Sequence, residues 1–332
     1  MHVGRAYRLI DFAMWSRRSV IYMAVVSVVA VLAYSLRPFA GFTVPWPIVV
    51  VLGTTVSLVS GFKNSQVLAR SSEALAAFSQ IAASSRLLAS LCADFVPHEM
   101  AQSIVYRHLG WLTALRFALR RPRPWESTSL PANREYLRRY IRIAEDQTTL
   151  AAELTSLLGA DAATTLGDRQ PALDLLHLQA RQFNALLKDG GVPPPVYAEF
   201  MKVLRDCHDQ QARCERIKNT PYPRQYAIVT TMFVAIFCTL LPFGVVPMFA
   251  AITIAAIPAA LMTWLSVPFS VLLGWMYFSL DLVGESTANP FEGSANDVPL
   301  SQICRDIEIE LRGRLGETNL PAPLPPVRGI AT

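Results

Sequence analysis

The side chains that usually carry chemistry are few in this sequence, and they do not converge. Its five histidines (His2, His98, His108, His177 and His208) form no HExxH pair, and neither a GxSxG elbow nor a glycine-rich phosphate loop is present. His208 beside Asp209 is the one acid–imidazole pairing worth mention, and an exposed helix face explains it more simply than proton transfer does. The five cysteines, Cys92, Cys207, Cys214, Cys238 and Cys304, are odd in number and lack CxxC spacing, so neither a disulfide framework nor a zinc site is indicated. Cys207 and Cys214 stand seven apart, on one face if the segment is helical, and read as small buried residues. Without a nucleophile, a base and an orienting group at workable spacing, the chain is expected to be no enzyme and to hold no metal or cofactor.

Composition points elsewhere. With 52% hydrophobic and only 17% charged residues, the chain leans towards the membrane class. Its net charge of +5 is spread among acids except at Arg116, Arg120, Arg121 and Arg123. That cluster is expected to solvate a helix end or to face lipid headgroups, and no nucleic-acid partner is expected.

The elements follow from where charge is missing. Between Arg18 and Arg37 the run SVIYMAVVSVVAVLAYSL is uncharged, and a second uncharged run reaches from Pro38 to Phe62. Each is long enough for a bilayer core, which takes about 20 helical residues. The stretch from Arg224 to Asp281 is far longer and must fold back. Its break is expected at LLPFGVVPM, where Pro242, Gly244 and Pro247 cluster, with the fourth span starting near Phe249 and carrying Pro258 and Pro268. Between Lys63 and Arg224, helical periodicity in EALAAFSQIAASSRLLASL, SIVYRHLGWLTALRFALR, REYLRRYIRIAED, ALDLLHLQARQFNALLK and YAEFMKVLRDCHDQQARCERI predicts a water-facing helical domain. The division is therefore a cytosolic N-terminal segment (1–18), a span pair (19–62), the helical domain (63–223), a second span pair (224–280), a cytosolic C-terminal segment (281–318) and a disordered proline-rich tail (319–332). Arg5, Arg8, Arg17 and Arg18 precede the first span, which by the positive-inside rule makes the termini and helical domain cytoplasmic in a multi-pass cell-membrane protein.

Three passages resemble the bestrophin family. GTTVSLVSGFKNSQVLARSSEA is similar to its glycine, apolar helix, Phe-Arg-Asn-like triplet and Arg-x-x-Glu pair, through Gly53, Phe62, Lys63, Asn64, Arg70 and Glu73. CERIKNTPYPRQYAIVTTMFVAIFCTLLPFGVV resembles its C-E-R, T-P-x-P and L-L-P-F run, through Pro221, Pro223 and Pro242. NPFEGSANDVPLSQICRDIE is similar to its P-F-G and N-D-L-P-L signature, through Pro290, Phe291, Asn296 and Asp297. The resemblance implies an all-α membrane protein with four transmembrane helices and a cytosolic helical domain, assembled as a homopentameric channel for small inorganic ions. Its pore would be lined by the second helix.

Carried across residue by residue, the family's pore neck falls on Thr54, Leu58 and Phe62, which share a helix face. Apolar rings strip an ion of water without offering dipoles, and they gate by dewetting. Thr54 departs from the family's apolar preference, so its ring is expected to be wetter. Spacing alone favours lipid or core packing of this face, since apolar stripes are common, and it is the resemblance that reverses the order. Gly53, Ser57 and Gly61 form a small-xxx-small strip that permits close helix approach. Lys63 follows the lowest ring, where it either attracts anions at the cytosolic mouth or is tied to a neighbouring acid. Arg70 and Glu73 read as a structural pair. The family's cytosolic constriction falls on Pro195, beside Val196, either a rigid ring or a plain helix-starting loop.

Calcium-gated members carry an acidic run after their Pro-Phe-Gly. Here that stretch, Glu292 to Asp297, has too few carboxylates for a hard-cation clasp. Ion sign stays open between chloride-like anions, as in much of the family, and monovalent cations, as in bacterial-type members. A carrier or a non-conducting scaffold are the alternatives; no ionisable residue inside the four predicted runs speaks for a carrier.

Overall fold

The computed structural model describes residues 1–4, 9–36, 43–127, 131–159, 170–253 and 258–332. Arg5 and Arg8, used above for the charge asymmetry, lie outside the described residues, as do Arg37, which bounds the first uncharged run, and the start of the second. Among the described residues the chain forms ten α-helices. They are α1 (Leu9–Ser35), α2 (Trp46–Phe95), α3 (His98–Arg120), α4 (Pro131–Tyr140), α5 (Leu150–Leu158), α6 (Pro171–Lys188), α7 (Pro194–Asn219), α8 (Arg224–Ala250), α9 (Ala259–Thr287) and α10 (Leu300–Arg314). Extended pairing among them is limited to isolated bridges of His2 and Val327 with Ile330. The fold is all-α.

Helices α1, α2, α8 and α9 are long and apolar enough to cross a membrane. α2 is the unusual one. Its 50 residues make a rod of about 75 Å, more than twice a hydrocarbon core of about 30 Å. The periodic segment after Lys63 is therefore the same helix continued, and the water-facing domain is built around the lower half of α2. Ser and Ala in SSEALAAFSQIAASS replace the apolar run without a Gly or Pro to stop the helix.

The fold-back lies later than the proline cluster predicts. α8 runs unbroken through Pro242 and Pro247 to Ala250, Phe249 sits in its last turn, and Pro258 stands just ahead of α9. Proline at 247 removes the donor for the Phe243 carbonyl, and the Val44 N–H fills that place at 3.3 Å. In a bilayer, where an unpaired carbonyl has no water to turn to, such a substitute donor lets the helix continue. Gly244 allows the same segment to approach: a Cβ there would lie 2.6 Å from a Val49 methyl.

Two cores result. In the membrane half, Met23, Val49, Val56, Val234, Phe237, Cys238 and Leu241 pack between the spans. Facing outward are Ile21, Val25, Val29, Ile228, Met232, Ile236, Phe269, Leu272 and Met276, an apolar surface suited to lipid. In the other half, α2, α3, α6, α7 and α10 enclose Phe78, Ile81, Trp111, Leu115, Phe183, Phe200 and Ile307. Cys207 and Cys214 both point into this core, and all five cysteines are buried and free.

Four other expectations change. REYLRRYIRIAED is one periodic run in sequence, but α4 stops at Tyr140 and a separate 3-10 turn spans Ala144–Asp146. α5, capped by the Thr149 hydroxyl accepting from the Ala152 N–H at 3.2 Å, was not foreseen. The arginine cluster is a solvated helix end only in part: Arg121 is exposed at the end of α3, but Arg116 reaches Glu145 (3.2 Å) and Glu153, while Arg120 reaches Glu145 (3.6 Å) and the Phe291 carbonyl (3.1 Å). Both side chains are buried. The end of the tail, expected to be disordered, lies packed against the chain, with Ile330 and Ala331 buried. There Ala331 N–H donates to Met1 O at 2.8 Å and Gln302 N–H to Thr332 O at 2.9 Å.

Candidate functional site

α2 presents two different faces along its membrane half. Val49, Gly53, Val56, Ser60, Lys63 and Val67 are buried against α8 and α9, on the i, i+3, i+4 stripe of one side. On the opposite side Thr54, Leu58 and Phe62 are exposed, the last two at 60% and 65%. The Thr54 hydroxyl donates to the carbonyls of Val50 (3.0 Å) and Val51 (2.9 Å), so it is satisfied within its own helix and projects mainly a methyl. The open face therefore carries three rungs, about 6 Å apart along the helix by the rise of four residues.

The small-residue strip divides between these faces. Gly53 lies against the Phe237 ring, where a Cβ would stand 3.0 Å from Cε2, and Ser57 shares a 3.0 Å hydrogen bond with the Tyr277 hydroxyl. Gly61 meets open space. Close approach inside the subunit thus uses Gly53 alone of the two glycines. A groove of about 580 Å³ flanks the upper half of α2, between Thr54 and Leu58 on one side and Phe237, Leu241, Leu273 and Tyr277 on the other.

At the residue after Phe62 the chemistry inverts. Lys63 is 2% exposed, and its Nζ lies 2.9 Å from Asp281 Oδ1 and 3.5 Å from Glu285 Oε2. Thr231 donates to the other Asp281 oxygen at 2.9 Å, and Arg224 reaches Glu285 at 3.3 Å. Of the two readings of Lys63, the structure takes the tied one: its charge points away from the open face and is matched by acids on α9. Both partners were visible in sequence as the first charges beyond uncharged runs, at equal depth. Only the fold pairs them.

The neighbouring signature residues act as joints. Asn64 donates to Leu280 O at 3.4 Å. Arg70 does not pair with Glu73. Its guanidinium donates to the carbonyls of Ile217 (3.0 Å), Thr220 (2.8 Å) and Ala288 (3.3 Å), closing the ends of α7 and α9, while Glu73 pairs with Arg216. An i, i+3 pair on an exposed helix is worth only a few tenths of a kcal/mol, so three orphan carbonyls at two helix ends outweigh it. Pro221 and Pro223 frame the turn into α8, and Pro223 stands at its N-cap. Pro195 is exposed in the first turn of α7, with Val196 partly buried against the water-side core.

The segment after α9 ties the membrane helices to the water-side domain. Phe291 packs on Phe78 with ring centroids 6.0 Å apart, and Val298 N–H closes the loop onto Pro290 O at 3.0 Å. Gly293 takes φ +93°, and a Cβ there would meet Ile143 at 2.6 Å, so glycine is required twice over. Asp297 is buried and accepts from the N–H groups of Gly293 (2.7 Å) and Ser294 (2.9 Å) and from the Ser294 hydroxyl (2.6 Å). Asn296 is exposed and donates to Thr287 at 3.0 Å. Glu292 accepts from Ser127 N–H (2.8 Å), Ser127 hydroxyl (2.6 Å) and Asn289 (2.6 Å). Both carboxylates are thus occupied by donors of the protein itself. A neighbouring buried ion pair, Lys218 with Glu126, had no sequence signal.

Burial, and then the charge of Asp297, push the Glu292 carboxyl up to about 8. Its folded value lies above its unfolded one, so its contribution to stability is full below the ordinary carboxylate range and is lost as pH rises through about 8. The expected result is a melting temperature that falls between about pH 5 and pH 8 and levels off above that for the wild type, and that falls less for Glu292→Gln. Scanning calorimetry in detergent checks it, and parallel profiles would reject the assignment.

A family model described as bacterial/fungal bestrophin protein matches residues 16–313. Among curated proteins, the chain is 28% identical over 274 residues to the voltage-dependent anion channel-forming protein YneE of Salmonella typhi, covering 82% of this chain and 77% of that one. It is 26% identical over 266 residues to a voltage-dependent anion channel-forming protein of Mesorhizobium japonicum, covering 80% and 74%. Among solved structures, a bacterial bestrophin homologue from Klebsiella pneumoniae superposes with a TM-score of 0.75 at 22% identity, covering 90% of this chain and 98% of that chain.

Proposed function

We infer, from the premise that this chain belongs to the bacterial and fungal bestrophin family, that it is a membrane ion channel built from five copies around a pore lined by α2. The observation that carries this reading is the open face of α2. Thr54, Leu58 and Phe62 are held outward on a helix whose other side is fully packed, and two of the three are large apolar residues exposed over a length that only lipid or a second protein surface can cover. Around an axis, five such faces make three stacked rings that an ion crosses without dipoles to replace its water. The groove between Thr54 and Tyr277 offers the neighbouring copy a place to pack.

Pro195, at the start of α7, is assigned to a second, shape-defined ring at the far end of the water-side domain, with Val196 bracing it from the core. The helical domain and both termini are assigned to the cytoplasm, on the basic residues that precede the first uncharged run.

Small monovalent ions are the cargo, with anions supported by the names of the curated relatives. A cation-passing reading draws on Lys63. With its ammonium matched by Asp281 and Glu285, no free basic ring stands beside Phe62 to favour anions. Reversal potentials in planar bilayers under a potassium chloride gradient decide the sign, and chemical cross-linking of the solubilised protein counts the copies. An absence of current together with a monomeric mass would overturn the reading.

A further inference from the structure

We propose that the outer face of α4 and the adjoining turn of α1 form a binding site for an acidic phospholipid headgroup. The proposal rests on the membrane-spanning reading of α1 and not on ion conduction.

α4 is short and amphipathic. Asn133, Tyr136, Leu137 and Tyr140 turn inward, whereas Arg134, Glu135, Arg138 and Arg139 are exposed on the other side. Its depth is fixed by two contacts with α1: the Trp15 indole donates to Asn133 at 2.8 Å, and Arg17 pairs with Glu135 at 2.9 Å. Those residues sit where the charges of α1 end and its uncharged run begins after Arg18, which is where headgroups lie. Trp275, donating to Ser16 at 2.8 Å, adds a second indole at the same level.

Two adjoining hollows open there. One, of about 420 Å³, is lined by Pro131, Arg134, Glu135, Arg138 and Arg139. The other is smaller and is bordered by Arg17, Arg18 and again Arg139. Five arginines thus surround one glutamate. Arg18 and Arg138 form no salt bridge among the described residues. A guanidinium fork matches two phosphate oxygens, and its flat apolar faces tolerate the headgroup layer better than an ammonium does. A nucleic acid or acidic protein would carry the same charge, but neither reaches the level of Trp15 and Trp275 in a bilayer.

The test uses the full chain purified in mild detergent, with native mass spectrometry of lipid retained after exchange into mixed phosphatidylglycerol and phosphatidylcholine. The wild type is expected to retain phosphatidylglycerol selectively. The triple variant Arg134→Gln, Arg138→Gln, Arg139→Gln should lose at least about tenfold of that preference, at roughly the surface contribution of a basic residue each. Glu135→Gln, which removes the one acid and releases Arg17, should strengthen it. Unchanged preference in the triple variant overturns the site, as does an unchanged preference in Glu135→Gln should the triple variant fail to fold. Displacement of the lipid by inorganic phosphate at equal anion concentration would also overturn it, in favour of a free-anion site.

Discussion

On the reading that α2 lines the pore, replacing Phe62 with alanine is expected to raise single-channel conductance, and Leu58→Ala to raise it by a smaller step. The cause is the same at both rings. An apolar constriction excludes water, so an ion entering it loses hydration with nothing in exchange, and the barrier scales with how narrow and how dry the ring is. Alanine widens each ring and lets water remain. A barrier lowered by only about 1 kcal/mol multiplies flux about fivefold. Phe62 has the larger side chain and stands nearest the end of the apolar stretch, so its removal should dominate. Thr54→Ala is expected to change little, because the Thr54 hydroxyl is already committed to Val50 and Val51 and the side chain presents chiefly its methyl. Planar-bilayer recordings at matched protein density test the order Phe62, Leu58, Thr54. Equal conductance in all variants and the wild type would remove α2 from the conduction path.

Lys63→Met costs about 3–5 kcal/mol of stability, the range expected when one partner of a buried ion pair is removed. Asp281 and Glu285 would then face each other at the membrane boundary without their cation, with Thr231 donating to one and Arg224 reaching the other. Asp281→Asn strands Lys63 in the same way, less severely because Glu285 remains 3.5 Å from its Nζ. The double replacement Lys63→Met, Asp281→Leu should recover most of the loss, since an apolar pair of similar size needs no hydration. Thermal unfolding of the detergent-solubilised protein, run as a double-mutant cycle, measures this. Additive losses would mean that the pair contributes no coupling, and that Lys63 is held for another reason.

The two predictions separate two properties of adjacent residues on one helix. Phe62 and Lys63 are neighbours, yet one faces open space and the other is sealed against α9, because consecutive helical residues point about 100° apart. Conductance should follow the first and stability the second. A variant at Lys63 that folds should therefore leave the neck barrier nearly intact.

The sequence by itself determined that the chain crosses a membrane four times. The reason is that a bilayer core accepts only long uncharged helices, and such runs are countable. It also placed the open-face residues Thr54, Leu58 and Phe62 on one side of a helix, since helical spacing is a local property. Other features depended on contacts between distant segments, which no periodicity records. The turn between α8 and α9 moved past Pro247 because Val44, some 200 residues away in sequence, supplies the donor that the proline removes. Arg70 turned from Glu73 to three carbonyls brought together by the ends of α7 and α9. Arg116 and Arg120, read as part of a cluster at a helix end or headgroup surface, went inside once Glu145 arrived from the 3-10 turn and Glu153 from α5. Charge can be counted along a chain, but whether it is solvated or paired is decided by what folds against it, because burial stabilises an ion only in the presence of its counter-charge.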